Sequence, residues 1–354
     1  MENENRVFDF EVNAVSENYD IDFVVSWMNP YDDNWRKQKA KYWAIEINDP
    51  EYDYNQVARF RDWDNLQFWF RGVEKYAPWV RKIYFVTWDT VPAWLNVNHP
   101  KIEVIRDAEI IPEGYAPCFS PNPMETNLHR IPGLREHFVF FNDDMFLLKP
   151  VEKSDFYVNG LPREMGVSYT LVNNIHNDPF QHMLLTMTGI INGFFDKRSV
   201  QKEHRSKWLN PIYGKQNINT LSTWRNMGFS GIMIPHLPSS MRKSIYEEVW
   251  EKIPEQLLKT ASHRFRNPTD VTQYIFRYWA ICKGEFEPTN VFSYGREFFM
   301  NDDTLPELCK IIRQQACKMV CINDSRSIKN FEKCRDGVIR SFTSILPEKS
   351  TFEL

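Results

Sequence analysis

Four short apolar runs, each closed by an acid or an amide, constrain this chain more than any other feature. Ile21-Asp22-Phe23-Val24-Val25-Ser26-Trp27 leads into Asn29 and Asp32-Asp33. Ile83-Tyr84-Phe85-Val86-Thr87 leads into Trp88-Asp89, and Phe138-Val139-Phe140-Phe141 into Asn142-Asp143-Asp144. Met319-Val320-Cys321-Ile322 leads into Asn323-Asp324. Runs of this length, rich in β-branched and aromatic residues, read as buried strands.

Helical spacing fills the intervals. The periodicity predicts a helix over 64–76, with Leu66, Trp69, Phe70 and Val73 on one side, capped by Asp62 or Asp64 and ended near Pro78. A second, after Pro268, runs over 269–281 and repeats Val271, Tyr274, Ile275, Tyr278 and Ile281. A third over 246–258 carries Val249, Trp250, Ile253 and Leu257, and Pro254 should bend or split it. Residues 305–315 and 328–339 are further helices. Strands alternating with helices imply an α/β fold with a mostly parallel sheet flanked by helices. Residues 1–19 read as a polar tail or an added edge strand ahead of a single domain over 20–354. The Pro- and Asn-rich segment 112–123 reads as a loop. Residues 173–230, without clear periodicity, read as an insertion or a flap.

Composition removes several classes. The 354 residues hold 43 Lys and Arg against 47 Asp and Glu, a net charge of −4, with mean hydropathy −0.52. Nucleic-acid domains show a basic excess, so no nucleic-acid partner is expected. No apolar stretch approaches the ~20 residues of a membrane span. Met1-Glu2-Asn3-Glu4-Asn5 lacks the basic and apolar regions of a signal peptide. A cytoplasmic protein is expected, with peripheral association at the inner face of the cell membrane left open. The six cysteines form no CxxC pair and read as free, mostly buried thiols rather than a zinc site. Aromatics reach 15%, enough for a packed core and for flat platforms under sugar rings or bases.

Open α/β sheets bind ligands beyond the carboxyl ends of their strands. Acids and amides repeated at such an edge suit a hard divalent cation bound to phosphate. In Asn142-Asp143-Asp144, adjacent side chains of an extended segment point to opposite sides, so one carboxylate can ligate a metal while the other orients a ligand. The plainer alternative is a strand-end turn with Asx capping. His236, between Pro235 and Pro238, reads as a general base, as a donor to phosphate, or as a packed loop histidine. In His263-Arg264-Phe265-Arg266 the two arginines can grip phosphate bidentately or form surface salt bridges. Glu125 and Arg130 can form a polar face at the site or an ordinary solvated one. No GxxxxGK[ST], GxGxxG or GxSxG occurs.

Taken together, these segments resemble the Stealth family: bacterial capsular polysaccharide phosphotransferases and the α/β subunit of animal N-acetylglucosamine-1-phosphotransferase. Its four regions have counterparts here. The first resembles Ile21 to Asn29. The second runs from Arg59-Phe60-Arg61-Asp62 through Tyr76-Ala77-Pro78-Trp79-Val80-Arg81-Lys82-Ile83 and Pro92-Ala93-Trp94-Leu95 to Leu128-His129-Arg130-Ile131-Pro132-Gly133-Leu134 and Asn142-Asp143-Asp144. The third resembles Pro235-His236-Leu237-Pro238 with His263-Arg264-Phe265-Arg266, and the fourth Cys321-Ile322-Asn323-Asp324 with Pro347-Glu348-Lys349-Ser350-Thr351-Phe352-Glu353. The first motif departs from the usual Trp-Val-Asp/Asn-Gly form, with Pro30 in place of the glycine and Asp32-Asp33 in place of Asp-Pro.

The resemblance implies a Rossmann-like or glycosyltransferase-A-like fold with inserted loops or a small subdomain. It implies transfer of a hexose- or N-acetylhexosamine-1-phosphate from a UDP-sugar to a hydroxyl of an oligo- or polysaccharide acceptor, lipid-linked or free, with release of UMP. It also implies Mg²⁺ or Mn²⁺. The residues it points to are His236, Asp143, Arg266 and Glu125 for catalysis, and Trp27, Asn29, Arg130 and Arg264 for the donor. Asp143, Asp144, Asn323 and Asp324 are its metal ligands. A UDP-releasing, metal-dependent glycosyltransferase and an aromatic-rich carbohydrate-binding module are the alternatives.

Overall fold

The computed structural model describes residues 19–47, 61–172 and 179–354. Residues 1–18 of the expected 1–19 tail, the Arg59-Phe60 part of the second motif and residues 173–178 of the expected insertion lie outside the described residues. The strands are β1 (Ile21–Ser26), β2 (Ile83–Thr87), β3 (Ile102–Arg106), β4 (His137–Asn142), β5 (Met145–Leu147), β6 (Tyr157–Val158), β7 (Leu161–Glu164), β8 (Ser239–Arg242), β9 (Glu287–Pro288), β10 (Gly295–Phe299) and β11 (Met319–Asn323). The main sheet has the order β3-β2-β1-β4-β8. Its first four strands are parallel and the edge strand β8 is antiparallel. The expected mostly parallel sheet flanked by helices is therefore present.

Strands of a sheet covered on both faces carry apolar residues continuously, which is why the runs were legible. Phe23, Val25, Phe85, Val139 and Phe141 pack on one face, with helices Leu66–Tyr76, Leu305–Gln314 and Phe331–Ile345. Val24, Tyr84, Val86, Phe138 and Phe140 pack on the other, with helices Lys243–Lys252 and Tyr274–Cys282. Full burial of each such side chain stabilises by about 1.5–3 kcal/mol. At Gly72 a Cβ would meet the Leu147 carbonyl oxygen at 3.2 Å, so a glycine lets helix Leu66–Tyr76 lie against β5.

Four expectations differ in detail. β11 belongs to a second sheet, ordered β10-β11-β5, rather than to the main one. Helix Leu66–Tyr76 begins at Asn65 without a side-chain cap; Asp62 instead accepts the Asp64 N–H at 2.7 Å. The helix expected from 269 starts only at Tyr274, because the Asp270 carboxylate accepts the Asn267 N–H at 2.9 Å and holds the chain in a turn. The 179–230 stretch is helical, over Pro179–Phe194, Lys197–Glu203, Arg205–Trp208 and Asn217–Thr223, and its Met183, Met187, Ile191 and Trp208 are buried against the second core face. Pro254 splits its helix as expected, into Lys243–Lys252 and Pro254–Ser262. All six cysteines are free and buried.

Candidate active site

Because β1, β2 and β4 run parallel and in register, Ser26, Val86 and Asn142 sit side by side. Beyond them opens a cleft of ≈ 840 Å³, within the range of small-ligand sites. Three further elements close it. Ser120 caps the one-turn helix Pro121–Glu125, accepting the Asn122 N–H at 3.4 Å, and delivers Glu125. The loop before β8 delivers His236. The second sheet delivers Glu297 from β10 and Asn323 from β11.

Asn142-Asp143-Asp144 is the corner between the sheets: β4 ends at Asn142, β5 begins at Met145, and the Asp144 carbonyl accepts the Ile322 N–H of β11 at 2.8 Å. Asp144 Oδ2 lies 3.6 Å from His236 Nε2. Asp144 Oδ1 and Asn142 Oδ1 are buried without a partner among the described residues. Native interiors leave few such atoms, so each calls for a partner such as a water, a ligand or an ion. Asp143 is solvent-exposed on the cleft, yet the surrounding walls displace much of the water around it. That loss of solvent, then the charges of Asp144 and Asp62, push its carboxyl up to about 7.

His236 Nδ1 lies 3.0 Å from the Tyr274 hydroxyl. The charged ring donates from both nitrogens, Nδ1–H to Tyr274 and Nε2–H toward Asp144; in the neutral ring that keeps Nδ1–H on Tyr274, Nε2 can accept a proton. Burial works against a charged ring, but Asp144, Glu297 and Glu125 outweigh it and raise the pKa above its usual value. Glu297 accepts the His236 backbone N–H, and Asn323 Nδ2 donates to it at 3.3 Å. Burial raises the Glu125 carboxyl, opposed by Arg266 and by the Gln273 N–H at 3.5 Å.

The cleft thus gathers Trp27, Glu125, Asp143, Asp144, His236, Arg266, Asn323 and Asp324. Three expected donor residues do not line it. Asn29 Oδ1 accepts the Tyr31 N–H at 3.0 Å inside its own turn. Arg130 lies over the Trp250 ring, 4.8 Å from its centroid. Arg264 donates to Glu46 at 2.8 Å and covers Tyr42. Asp324, expected as a metal ligand, is clasped by Arg61, with Nε–Oδ2 at 2.9 Å, and also accepts Trp63 Nε1–H at 3.3 Å. Those bonds fill both acceptor positions of Oδ2 and one of Oδ1, so Asp324 serves Arg61 and Trp63 first.

Sequence reasoning missed four members. Asp62 accepts a bond from the Trp27 side chain, and burial raises its carboxyl. Asp107, just past β3, is pushed up to about 7 by burial. Glu297 is the third. Cys321 is the fourth: Asp144, His236 and Cys321 place ligand atoms within 4.8 Å of one another. Burial, then Asp144 and Glu297, hold that thiol protonated, far above its usual pKa. Oxygen donors from Asp143, Asp144 and Asn142 fit a hard cation better than a neutral thiol does. The aromatic wall of Trp35, Trp43, Phe119 and Phe265 closes the far side.

Conserved region 2 of the Stealth proteins matches residues 59–164, and conserved region 3 matches 235–278. The receptor polysaccharide phosphotransferase WefC of Streptococcus oralis is 37% identical over 337 residues, 94% of this chain and 99% of its own. The capsular polysaccharide phosphotransferase WcwK of Streptococcus pneumoniae is 37% identical over the same shares. The exopolysaccharide phosphotransferase cps2G of Lactiplantibacillus plantarum is 35% identical over 95% of this chain and 96% of its own. Among solved structures, the bifunctional glycosyltransferase WbbM aligns over 92% of this chain and 50% of its own, at 11% identity and a TM-score of 0.38, a likeness too remote to carry weight.

Proposed function

The chain belongs to the Stealth family and is a phosphotransferase of polysaccharide synthesis, and from that premise we propose that it moves a sugar 1-phosphate from a UDP-sugar to a glycan hydroxyl, releasing UMP. The observation that carries this reading is the cleft corner, where Asp144 offers one oxygen to His236, the Cys321 thiol lies beside the same carboxylate, and Oδ1 meets no hydrogen-bond partner among the described residues. A sugar nucleotide brings a diphosphate, and a diphosphate comes with a cation.

The acceptor oxygen attacks the β-phosphorus, the bond from that phosphorus to the bridging oxygen breaks, and UMP departs. The sugar C1–O bond stays intact, so the anomeric configuration is kept. Nε2 of His236 takes the hydroxyl proton, and the Asp144 carboxylate stabilises the imidazolium that forms. Arg266, facing Glu125 across the cleft, meets the charge spread over the phosphoryl oxygens. Asp143, Asp144 Oδ1 and Asn142 Oδ1 would hold Mg²⁺ or Mn²⁺. The cation would neutralise diphosphate charge and stabilise the leaving UMP. Trp27 and the aromatic wall offer flat surfaces for uracil or sugar. The acceptor is an oligo- or polysaccharide, lipid-linked or free, met on the cytoplasmic side of the membrane. Phosphotransferase relatives over nearly the whole chain set aside the alternative of a non-catalytic carbohydrate-binding module.

The test is product identity. A panel of UDP-sugars is incubated with the protein and Mn²⁺, with and without glycan, and the nucleotide is separated by chromatography. UMP is expected. UDP would mean that C1–O is cleaved, the glycosyltransferase alternative, and would overturn the proposal.

A further inference from the structure

Helix Asn217–Thr223 is built inside out. Its threonines face the body: Thr220 is fully buried and Thr223 is 1% exposed. Thr220 Oγ1 accepts the Ser168 N–H at 3.2 Å, and Thr223 Oγ1 donates to Ser168 Oγ at 3.1 Å. Its apolar residues face outward, Ile218 at 67% and Leu221 at 58% exposure, with Ile212 and Met227 exposed on either side. A surface helix of a water-soluble domain normally shows the reverse. Exposed apolar clusters mark interaction surfaces.

The flanks are cationic in sequence. Residues 179–230 carry seven lysines and arginines against two acids, in a chain where acids outnumber bases; Lys197 is buried and Lys207 pairs with Glu287 at 3.9 Å, so neither adds to the patch. No acidic residue occurs between Glu203 and Glu247. Exposed Lys215 precedes Ile218 by one turn, and exposed Arg225 follows Leu221 by one turn. Apolar side chains flanked by cations suit an anionic lipid surface, where the former enter the headgroup boundary and the latter meet lipid phosphates. A second copy packed here about a twofold axis would bring Lys215 and Arg225 of both copies together, with no acid from the 204–246 stretch to offset them.

We propose that this face, built on Lys215, Ile218, Leu221, Arg225 and Met227, docks the protein onto an anionic membrane. The same helical stretch reaches the cleft. Phe180 and Gln181 line it, and Asn192, from the same helix, bonds Phe229 in both directions at 2.8 and 2.7 Å. A membrane-borne acceptor would therefore be met by a face joined to the cleft wall.

The test is flotation of the full chain with vesicles of phosphatidylglycerol and phosphatidylcholine, against vesicles of phosphatidylcholine alone. Binding to the anionic vesicles, weakened by salt, is expected. K215Q/R225Q should bind about 30-fold more weakly, at about 1 kcal/mol for each cation near the surface. I218S/L221S should weaken binding while keeping its salt dependence. All four side chains are exposed, so both variants should fold, and far-UV circular dichroism checks this. Absence of flotation, or flotation indifferent to both variants, overturns the proposal. So does a wild-type dimer that I218S/L221S disperses without any effect on lipid binding, since the face would then join two copies. The readout is binding rather than turnover, so it stands or falls apart from the reaction.

Discussion

Carboxylates sit in two contrasting surroundings in this molecule. Asp22 in β1 and Glu164 in β7 are buried and clasped by arginines. Arg81 meets both oxygens of Asp22 at 2.7 and 2.6 Å, and Arg277 meets Glu164 at 2.5 and 2.8 Å. In the cleft, burial raises Asp62, Glu125 and Glu297, Asp143 is raised by the surrounding walls and by its acidic neighbours Asp144 and Asp62 although it is solvent-exposed, and Asp144 Oδ1 meets no partner among the described residues. The first arrangement serves folding. The second concentrates negative charge that a bound cation or a basic ligand group can neutralise, as functional sites do. Removing charge should therefore have opposite consequences in the two places.

The largest effect expected is on stability. R277M strands Glu164 in the interior and should destabilise by about 3–5 kcal/mol, read from the urea midpoint, whereas E164M/R277M should recover most of that loss. An R277M midpoint equal to wild type would erase the contrast. In the cleft, H236A, D143A and R266A should each slow turnover by about 10²–10³, or about 2.7–4 kcal/mol of barrier. The midpoint of D143A should match or exceed that of wild type, because a crowded charge has gone. Wild-type rates in two of the three would remove these residues from the chemistry. Smaller still, Mn²⁺ at ~100 times its dissociation constant should stabilise the protein by about 2.7 kcal/mol, seen as a higher Tm. D144N should abolish that gain. An equal gain in D144N would place the cation elsewhere.

The smallest effect is a slope with pH. Burial, then Arg130 and Lys243, hold His129 down to about 3, against about 6.5 in an unfolded chain. Between those values the unfolded chain binds a proton that the folded one does not, so stability falls as pH drops through that window. H129F should flatten the slope of urea midpoint against pH over that interval. An unchanged slope would show that another group dominates it.

The parts of the fold that were legible are those where one physical demand fixes the residue type. β1, β2, β4 and β11 need apolar side chains on both faces, and their carboxyl ends carry Asn142, Asp143 and Asn323. β3, at the sheet edge, buries only Ile102 and Ile105 and interrupts its apolar residues with Glu103 and Arg106, so its run was not recognised and Asp107 went with it. The same rule of an acid closing a strand would have found both. Glu297 lies on β10, an edge strand whose one buried residue is Gly295, so it lacks the run of buried apolar residues that marks the other strands. Arg264 and Arg266 are alike in sequence. Which of them reaches the cleft depends on how buried Phe265 seats in the aromatic cluster, a tertiary fact. The late start of helix Tyr274–Cys282 has a similar cause. Asp270 is fully buried, bound to His263 at 2.6 Å and Asn122 at 2.9 Å, and those distant partners override the helical spacing.

The corner at Asn142-Asp143-Asp144 has a mechanical meaning as well. It is the covalent hinge-pin between the two sheets, and the bond from the His236 N–H to Glu297 is a cross-brace beside it. Prising the sheets apart at that point would dismantle the cluster to which the proposed reaction assigns its proton and its cation. Substrate entry must then work like a drawer rather than a book: the spine stays shut, and whatever gives way does so at the outer walls.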